Sequence, residues 1–276
     1  MTEPTVRATP ATDSHRGQIA LVTGANKGIG RQIAGRLADL GMTVYLGARD
    51  TERGTKAAAE LSAEAPARDV RFVRLDVTDP QTAAAAAELI GRAHGRLDAL
   101  VNNAGINPEG GTPPTEVGLD LLRRGFETNV FGAVTVTNAM LPLLRAAQAA
   151  RVVNMSSELG SLTLAADPGH LVAGRRLLVY NSAKAALNSI TLIYANELRG
   201  DGIMVNAANP GYCATDLNGH RGVLSAEQGA AVPAELAALP PGGPTGRFVG
   251  DRSPEGTSVA SSSFGERIGS GAEVPW

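Results

Sequence analysis

Short apolar runs alternate with longer helical stretches through most of this chain, and this alternation limits the possible folds more than any other feature. The apolar runs predict strands at 19–22, 44–46, 70–75, 97–101, 151–155, 203–207 and around 247–249. Helices are predicted from the first strand to about residue 40, over 52–64 and 80–94, up to about residue 145, and over 179–199 and 225–239. Strands joined through helices form right-handed crossovers and a parallel sheet covered on both faces. The sequence therefore predicts an α/β fold, with a doubly wound Rossmann-type sheet of about seven strands.

The pattern predicts a single domain over residues 18–249, because no proline- or serine-rich linker interrupts residues 18–209. Residues 1–17 are predicted to be a disordered leader, since they are polar and lack the apolar segment of a signal peptide. Residues 250–276 are predicted to form a Gly/Ser-rich C-terminal extension. Whether residues 274–276 dock back onto the domain stays open at this point.

Charge and cysteine content narrow the range of partners. The chain has 25 basic and 27 acidic residues, so it offers no basic stripe for nucleic acid and no polybasic membrane patch. A single cysteine, Cys213, excludes an internal disulfide framework and fits a reducing, cytoplasmic location. The sequence shows no His/Cys cluster that would suggest a metal site. A small molecule is the expected partner.

Three glycines, Gly24, Gly28 and Gly30, follow the first predicted strand and open the first predicted helix. Their missing side chains let the backbone approach a pyrophosphate, whose charge is favoured at a helix N-terminus. The GxxxGxG spacing differs from the GxGxxG fingerprint, and a plain strand-to-helix turn is the alternative. We expect a dinucleotide to bind at this turn.

The end of the second strand bears on which dinucleotide binds. Enzymes that use NAD commonly place an acid there for the ribose 2′-hydroxyl, whereas this chain has Ala48 followed by Arg49 and Asp50. A guanidinium favours a 2′-phosphate, and Lys27 could add a second cation. The alternative is that Arg49 only pairs with Asp50 or Glu52 at the surface. The pattern favours NADP(H) as cofactor.

Tyr180 and Lys184 are four residues apart in a predicted helix, so a phenol and an ammonium group share one helix face. Hydride transfer to a carbonyl leaves an alkoxide that needs a proton, and Tyr180 can supply it. A nearby ammonium group and a cationic nicotinamide would favour the phenolate, so we expect the pKa of Tyr180 to be lowered. A pairing by chance is the alternative.

Three further residues are candidates for the same site. Ser156 and Ser157 follow the fifth strand, at the edge of the sheet where doubly wound folds bind ligands, although serine is also a common turn former. Asn129 lies inside a predicted helix, which it disfavours, and it could bind water. A surface asparagine is an equally good explanation of that position.

Taken together, these residues resemble the short-chain dehydrogenase/reductase superfamily in its classical form, over about residues 18–249. The shared motifs are Thr23-Gly24-x-x-x-Gly28-x-Gly30, Asp76-Val77, Asn102-Asn103-Ala104-Gly105, Asn129, Ser157, Tyr180-x-x-x-Lys184 and Pro210-Gly211. A closer similarity to the NADPH-dependent carbonyl reductase branch comes from Asn26-Lys27-Gly28-Ile29-Gly30, Ala48-Arg49-Asp50, Asn209-Pro210-Gly211-Tyr212, Thr215-Asp216-Leu217 and Val274-Pro275-Trp276.

The resemblance implies an oxidoreductase that reduces a ketone or aldehyde carbonyl to an alcohol with NADPH. Under it, Tyr180 donates the proton, and Lys184 holds the nicotinamide ribose and lowers the pKa of the tyrosine. Ser157 orients the carbonyl group, and Asn129 anchors a water molecule of the proton relay. The cofactor-binding residues that the resemblance implies are Thr23, Gly24, Asn26, Lys27, Gly28, Ile29, Gly30, Arg49, Asp76, Val77, Asn103, Ala104, Gly105, Tyr180, Lys184, Pro210, Gly211 and Thr215.

Two other functions stay open, an NADP-dependent alcohol dehydrogenase that works in the oxidative direction and a catalytically silent NADP-binding sensor or scaffold. The interval of 23 residues from Ser157 to Tyr180 is longer than in most relatives and shorter than in animal carbonyl reductases. Because a long insertion in this interval keeps some relatives monomeric, the choice between monomer and homo-oligomer stays open as well. The sequence gives no rule for the identity of the substrate.

Overall fold

The computed structural model describes residues 15–250 and 271–276. Most of the predicted leader, residues 1–14, and most of the Gly/Ser-rich extension, residues 251–270, lie outside the described residues. The predicted disorder of the leader and most of the predicted C-terminal extension therefore stay predictions.

The described residues form one eight-stranded sheet in the order β3-β2-β1-β4-β5-β6-β7-β8. Its strands are β1 (Ile19–Thr23), β2 (Thr43–Ala48), β3 (Asp69–Arg74), β4 (Ala99–Asn102), β5 (Arg151–Met155), β6 (Met204–Asn209), β7 (Phe248–Gly250) and β8 (Ala272–Glu273). Strands β1 to β7 are parallel, and β8 pairs antiparallel with β7. The predicted doubly wound sheet is confirmed, with one more strand than the sequence indicated.

Nine α-helices connect or flank these strands in the described ranges. They are α1 (Gly28–Asp39), α2 (Thr51–Glu64), α3 (Pro80–His94), α4 (Leu119–Phe126), α5 (Gly132–Arg145), α6 (Leu162–Ala165), α7 (Leu178–Glu197), α8 (Ala226–Gly229) and α9 (Ala231–Ala237). The long helix predicted to end near residue 145 is divided into α4 and α5 by a π-helical turn, Glu127–Phe131. None of the helices in 15–250 is long and apolar enough to cross a membrane.

Local sequence signals set the ends of these helices. In α3, Asp79 caps the first turn by accepting a hydrogen bond from the Gln81 amide, and Pro80 occupies the first helical position. Gly95 ends the same helix in a left-handed conformation, with φ of 70°, that a residue with a side chain rarely adopts. This is why the predicted and observed bounds of α3 agree.

Helices cover both faces of the sheet, and the residues of β1 divide between the two resulting cores. Ala20 and Val22 pack with α1, α2 and α9, whereas Ile19 and Leu21 pack with α3, α5 and the end of α7. All five residues of β1 are buried, as expected for a central parallel strand. Strand order reverses between β1 and β4, so the carboxyl ends of these strands border a crevice where such sheets bind ligands.

The last described residues do dock onto the domain. Strand β8 hydrogen-bonds to β7, and the indole of Trp276 lies 5.4 Å from the ring of Phe248, measured between ring centres. The backbone oxygen of Trp276 accepts hydrogen bonds from the amide and hydroxyl of Thr163, at 3.1 and 2.8 Å. Residues 271–276 therefore close the edge of the sheet and fasten α6 to it.

We expect Trp276→Ala to lower the free energy of unfolding by about 1–3 kcal/mol, because it removes the aromatic contact with Phe248 and the apolar surface buried there. Urea unfolding followed by circular dichroism measures the loss. Trp276→Phe is the matched control, since it keeps an aromatic ring, and it should recover most of the stability. Equal unfolding midpoints for the wild type and both variants would show that the docked segment contributes nothing.

Candidate active site

Tyr180 and Lys184 lie in the first two turns of α7 and face the carboxyl end of β5. The Lys184 Nζ atom is 5.5 Å from the centre of the Tyr180 ring and donates a 2.6 Å hydrogen bond to the backbone oxygen of Met155. Lys184 is 4% exposed, whereas Tyr180 is partly exposed. The four-residue spacing therefore brings a buried ammonium group and the phenol of Tyr180 together at the edge of the sheet.

Burial shifts the pKa values of both members of this pair. Burial raises the pKa of Tyr180 to about 12, and a hydrogen bond with Ser157 acts in the opposite direction. Burial also lowers the pKa of Lys184 to about 8. In the polypeptide by itself, burial of the phenol thus outweighs the hydrogen bond that favours phenolate, and the lowering expected from Lys184 together with a cationic nicotinamide stays a prediction.

The two neighbouring serines point to different places. Ser157 begins a short 3₁₀ turn after β5, where its hydroxyl accepts a hydrogen bond from the Leu159 amide and interacts with Tyr180. Ser156 is 2% exposed and donates a 2.5 Å hydrogen bond to the side-chain oxygen of Asn188 in α7. Ser157 therefore belongs to the site, and Ser156 belongs to the packing beneath it.

Asn129 is buried, which rules out the surface position that was the alternative. It is 1% exposed and lies in the π-helical turn between α4 and α5. Its side chain accepts a hydrogen bond from the Ile106 amide at 2.8 Å and donates one to the Ile106 carbonyl at 2.9 Å. A Cβ atom added to Gly105 would lie 3.4 Å from the Asn129 oxygen and 3.7 Å from Lys184 Nζ. Asn129 thus holds the backbone that adjoins the buried ammonium group.

The glycine-rich turn is fastened to the end of β4 by hydrogen bonds. The Thr23 hydroxyl accepts from the amides of Asn103 and Ala104, both at 3.0 Å, and the Asn103 side chain donates to the backbone oxygens of Thr23 and Gly24. A Cβ atom at Gly24 would lie 2.9 Å from the Ala104 Cα atom. Through these contacts, Thr23, Gly24 and residues 103–105 hold the glycine-rich turn against the end of β4.

The same turn fits a dinucleotide phosphate. Gly24 and Gly28 have φ angles of +63° and +58°, and the N-cap of α1, Lys27, makes no side-chain capping bond to the first turn. The N-terminus of α1 therefore faces the crevice between β1 and β4 with backbone amides available for an anion. Asn26 lies in this turn, and Ile29, in the first turn of α1, is partly buried and packs against one of the two cores.

Among the residues that the structure describes, Arg49 makes no ion pair or hydrogen bond. Its expected alternative partner, Asp50, instead caps α2 by accepting from the Arg53 amide and pairs with the Arg53 guanidinium at 3.6 Å. Lys27 differs, because its ammonium group pairs with Asp216 across the crevice. Arg49 is thus free to bind a 2′-phosphate, whereas Lys27 would have to exchange partners.

The remaining predicted cofactor residues line the same edge of the sheet. Asp76 follows β3, and its carboxylate accepts hydrogen bonds from the amide and hydroxyl of Thr78. Val77 is buried against Gly132 of α5. The loop after β6 contains Pro210, Gly211 and Thr215, and a Cβ atom added to Gly28 would lie 3.7 Å from the Thr215 methyl group. The structure therefore brings the glycine-rich turn and the loop after β6 together.

Residues 158–178 lie along α7 beside Tyr180 and Lys184. A Cβ atom on Gly160 would lie 2.6 Å from the backbone carbon of Lys184, so the segment packs directly on the helix at this point. Elsewhere the segment and α7 form the walls of a groove of about 330 Å³, which apolar side chains such as Leu159, Leu162 and Leu178 line. Neither Tyr180 nor Ser157 lines this groove.

One functional candidate, Glu109, was not predicted from the sequence. Glu109 is 3% exposed, and its carboxylate accepts hydrogen bonds from the backbone amides of Val179 and Tyr180. The signal available in the sequence is an acid before two glycines, Gly110 and Gly111, shortly after the Asn-Ala-Gly motif. That signal gives no hint of a partner 70 residues away.

Comparisons with known proteins agree with this architecture. A chain from Penicillium roqueforti named short-chain dehydrogenase anuI is 36% identical over 217 residues, which cover 77% of this chain and 85% of that one. Carbonyl reductase (NADPH) 1 of Mus musculus is 34% identical over 276 residues, covering 86% and 97%. The structure of a metagenomic short-chain oxidoreductase in complex with NADP has a TM-score of 0.69 at 29% identity, covering 84% of this chain and 96% of that chain.

The family model described as short chain dehydrogenase matches residues 18–222, which include every catalytic candidate and the whole of the glycine-rich turn. The sheet order and the convergence of Ser157, Tyr180 and Lys184 are consistent with that match. The chain belongs to the short-chain dehydrogenase family.

Proposed function

We propose that this oxidoreductase uses NADPH to reduce the carbonyl group of a ketone or aldehyde to an alcohol, with Tyr180 as the proton donor. The observation that carries the proposal is the meeting of Tyr180, Ser157 and Lys184 at the carboxyl end of β5. This meeting occurs at the edge of the sheet that also carries the glycine-rich turn.

The choice of NADP(H) rests on the guanidinium of Arg49 at the end of β2, which has no partner among residues 15–250 and 271–276, and on the backbone amides of the glycine-rich turn. Similar proteins support it, since one is named as an NADPH carbonyl reductase and another was solved with NADP. When bound, the nicotinamide supplies the hydride that reduces the carbonyl carbon. Thr23, Gly24 and Asn103 would set the backbone of the phosphate site, and Arg49 would bind the 2′-phosphate.

The side chains of the site divide the proton chemistry among them. The Tyr180 hydroxyl gives its proton to the carbonyl oxygen, and the Ser157 hydroxyl donates a hydrogen bond to that oxygen. Lys184, with a pKa of about 8, is mostly charged at neutral pH and stabilises the phenolate that Tyr180 becomes. Asn129 holds the backbone of Ile106 in place. A water molecule beside this backbone can return a proton to Tyr180 through Lys184.

The protonation of Tyr180 suits a proton donor. A phenol with a pKa of about 12 keeps its proton at neutral pH, so Tyr180 is ready to donate it to a carbonyl oxygen. The concentrations of oxidised and reduced cofactor set the net direction of the reaction.

We expect Tyr180→Phe to lower the turnover of NADPH with a panel of quinones, ketones and aldehydes by at least about 100-fold, because the ring stays and only the proton donor is lost. Turnover is followed at the nicotinamide absorbance, and binding of NADPH should stay nearly unchanged. Tyr194→Phe, on the same helix, removes a hydroxyl that bonds Asn138 and serves as the control. Strong residual activity in Tyr180→Phe would contradict the assigned role.

Arg49→Ala should weaken binding of NADPH more than binding of NADH, by about 1.5–3 kcal/mol, because it removes a hydrogen bond between charged groups. Fluorescence titration of each reduced cofactor measures the difference. Arg92→Ala, which removes another exposed arginine at the end of α3, should leave both affinities unchanged. Equal weakening of the two cofactors by Arg49→Ala would remove the argument for the 2′-phosphate.

Between about pH 8 and pH 10, the free energy of unfolding of the protein without cofactor should rise with pH relative to that of the Lys184→Met variant. The pKa of Lys184 is about 8 when folded and 10.5 when exposed, so between these values the unfolded chain holds a proton that the folded protein has released. Urea unfolding at several pH values below 10 measures this, since the raised pKa of Tyr180 acts in the opposite direction above pH 10. The control variant Lys56→Met, at an exposed lysine, should show the same pH dependence of unfolding as the wild type. The same pH dependence in Lys184→Met would contradict the lowered pKa of the buried Lys184.

A further inference from the structure

Helix α7 carries Tyr180 in its first turn, yet its own sequence does little to stabilise that turn. The N-cap residue is Leu177, which has no side-chain group to accept a hydrogen bond, and the first turn contains no acid. Unpaired amides at a helix N-terminus are costly when they are removed from water, and the first turn is the part of a helix that frays most readily. A helix of 20 residues that presents a catalytic side chain at this position needs a cap from elsewhere.

Glu109 supplies that cap from a loop that lies far away in sequence. Its Oε1 atom accepts from the Tyr180 amide at 2.9 Å, and its Oε2 atom accepts from the Val179 amide at 3.1 Å. The residue is 3% exposed, so both bonds are shielded from water. A carboxylate that accepts two backbone amides at a helix N-terminus also interacts favourably with the helix dipole.

The loop that carries Glu109 is itself held in place. The amide and hydroxyl of Thr112 donate to the Glu109 backbone oxygen at 2.9 and 2.8 Å, around a turn in which Gly110 and Gly111 have φ angles of +63° and +125°. Three residues before Glu109, Ile106 is bonded through both backbone groups to Asn129. The segment 106–112 thus connects Asn129 at one end with the first turn of α7 at the other.

We propose that Glu109 is a positioning residue, whose buried carboxylate fixes the first turn of α7 and with it the location of Tyr180 relative to Lys184 and Asn129. This inference rests on the proposed function and adds a residue to the four that the sequence indicates. Glu109 acts through the backbone and takes no part in proton transfer. Glu109 also joins the 106–112 segment to the first turn of α7, so that the segment and the helix move as one unit.

Asp98 offers a matched control at the opposite end of the sheet. It is a buried acid, 7% exposed, and its Oδ2 atom accepts from the Ile19 amide at 2.8 Å and from Arg96 at 3.2 Å. Ile19 begins β1, whereas the site lies where the strands end. Asp98→Ala therefore removes the same kind of bond and lowers stability without touching the site.

The first measurement is amide hydrogen exchange of the protein without substrate or cofactor. In Glu109→Ala the amides of Val179 and Tyr180 should exchange about tenfold faster or more, since they lose their only side-chain acceptor among the described residues. Glu109→Gln keeps one acceptor oxygen and should give an intermediate rate. In Asp98→Ala the acceleration should appear at Ile19 and not in α7. Unchanged exchange at Val179 and Tyr180 would overturn the capping role.

The second measurement is steady-state reduction of 4-nitrobenzaldehyde by NADPH. Glu109→Ala should lower kcat about tenfold or more while KM for NADPH stays within about threefold, and Glu109→Gln should recover part of kcat. Asp98→Ala should leave kcat unchanged despite its lower stability. A loss of kcat in Glu109→Ala no greater than in Asp98→Ala would overturn the positioning role.

The two measurements separate the two proposals. If the wild type reduces neither this aldehyde nor any other carbonyl compound of the panel, the proposed function fails, while the exchange rates still decide whether Glu109 holds the helix. If Glu109→Ala does not fold, Glu109→Gln carries both measurements against Asp98→Asn, and exchange and kcat equal to those of the wild type in Glu109→Gln would overturn the inference.

Discussion

The hydrogen bond from the Lys184 ammonium group to the Met155 carbonyl is the interaction on which the rest of the site depends. A buried ammonium group is expensive unless it is well bonded, so this contact allows few rotations of α7 against the end of β5. With α7 held in that rotation, Ser157, two residues after Met155, lies beside the phenol of Tyr180. The glycine at position 105 then leaves room for the ammonium group near Asn129.

Beneath the site, a chain of buried polar side chains runs along one face of the sheet from one helix to another. The Asn102 amide donates to Thr137 of α5 and to Asn154 of β5, and the Asn154 amide donates to Thr191 of α7, each at 2.9 Å. Such bonds are strong in a medium of low polarity and costly to break one at a time. They join α5, which follows the turn of Asn129, to α7, which carries Tyr180 and Lys184, so the two helices keep one relative position.

The sequence predicted the sheet and most of its helices because their signals are local. Apolar runs such as 151–155 and the cap and stop residues of α3 act over a few neighbours, and the family motifs are short and ordered. The raised pKa of Tyr180 in the polypeptide has no signal in the sequence, because burial, which dominates it, is a property of the assembled fold. Glu109 and the pair formed by Lys27 with Asp216 depend on residues 70 and 189 positions apart, and no local pattern marks such contacts.

The docked segment has a consequence for spectroscopy. Trp276 is the only tryptophan in the chain, and its indole lies against Phe248 while its backbone oxygen holds Thr163 at the start of α6. Because α6 belongs to the segment that packs along α7, the single indole is an intrinsic fluorophore attached to the wall beside the helix that carries Tyr180 and Lys184. Its emission wavelength and quenching report the local environment of that wall with no label added, and they do so from a position outside the reacting groups.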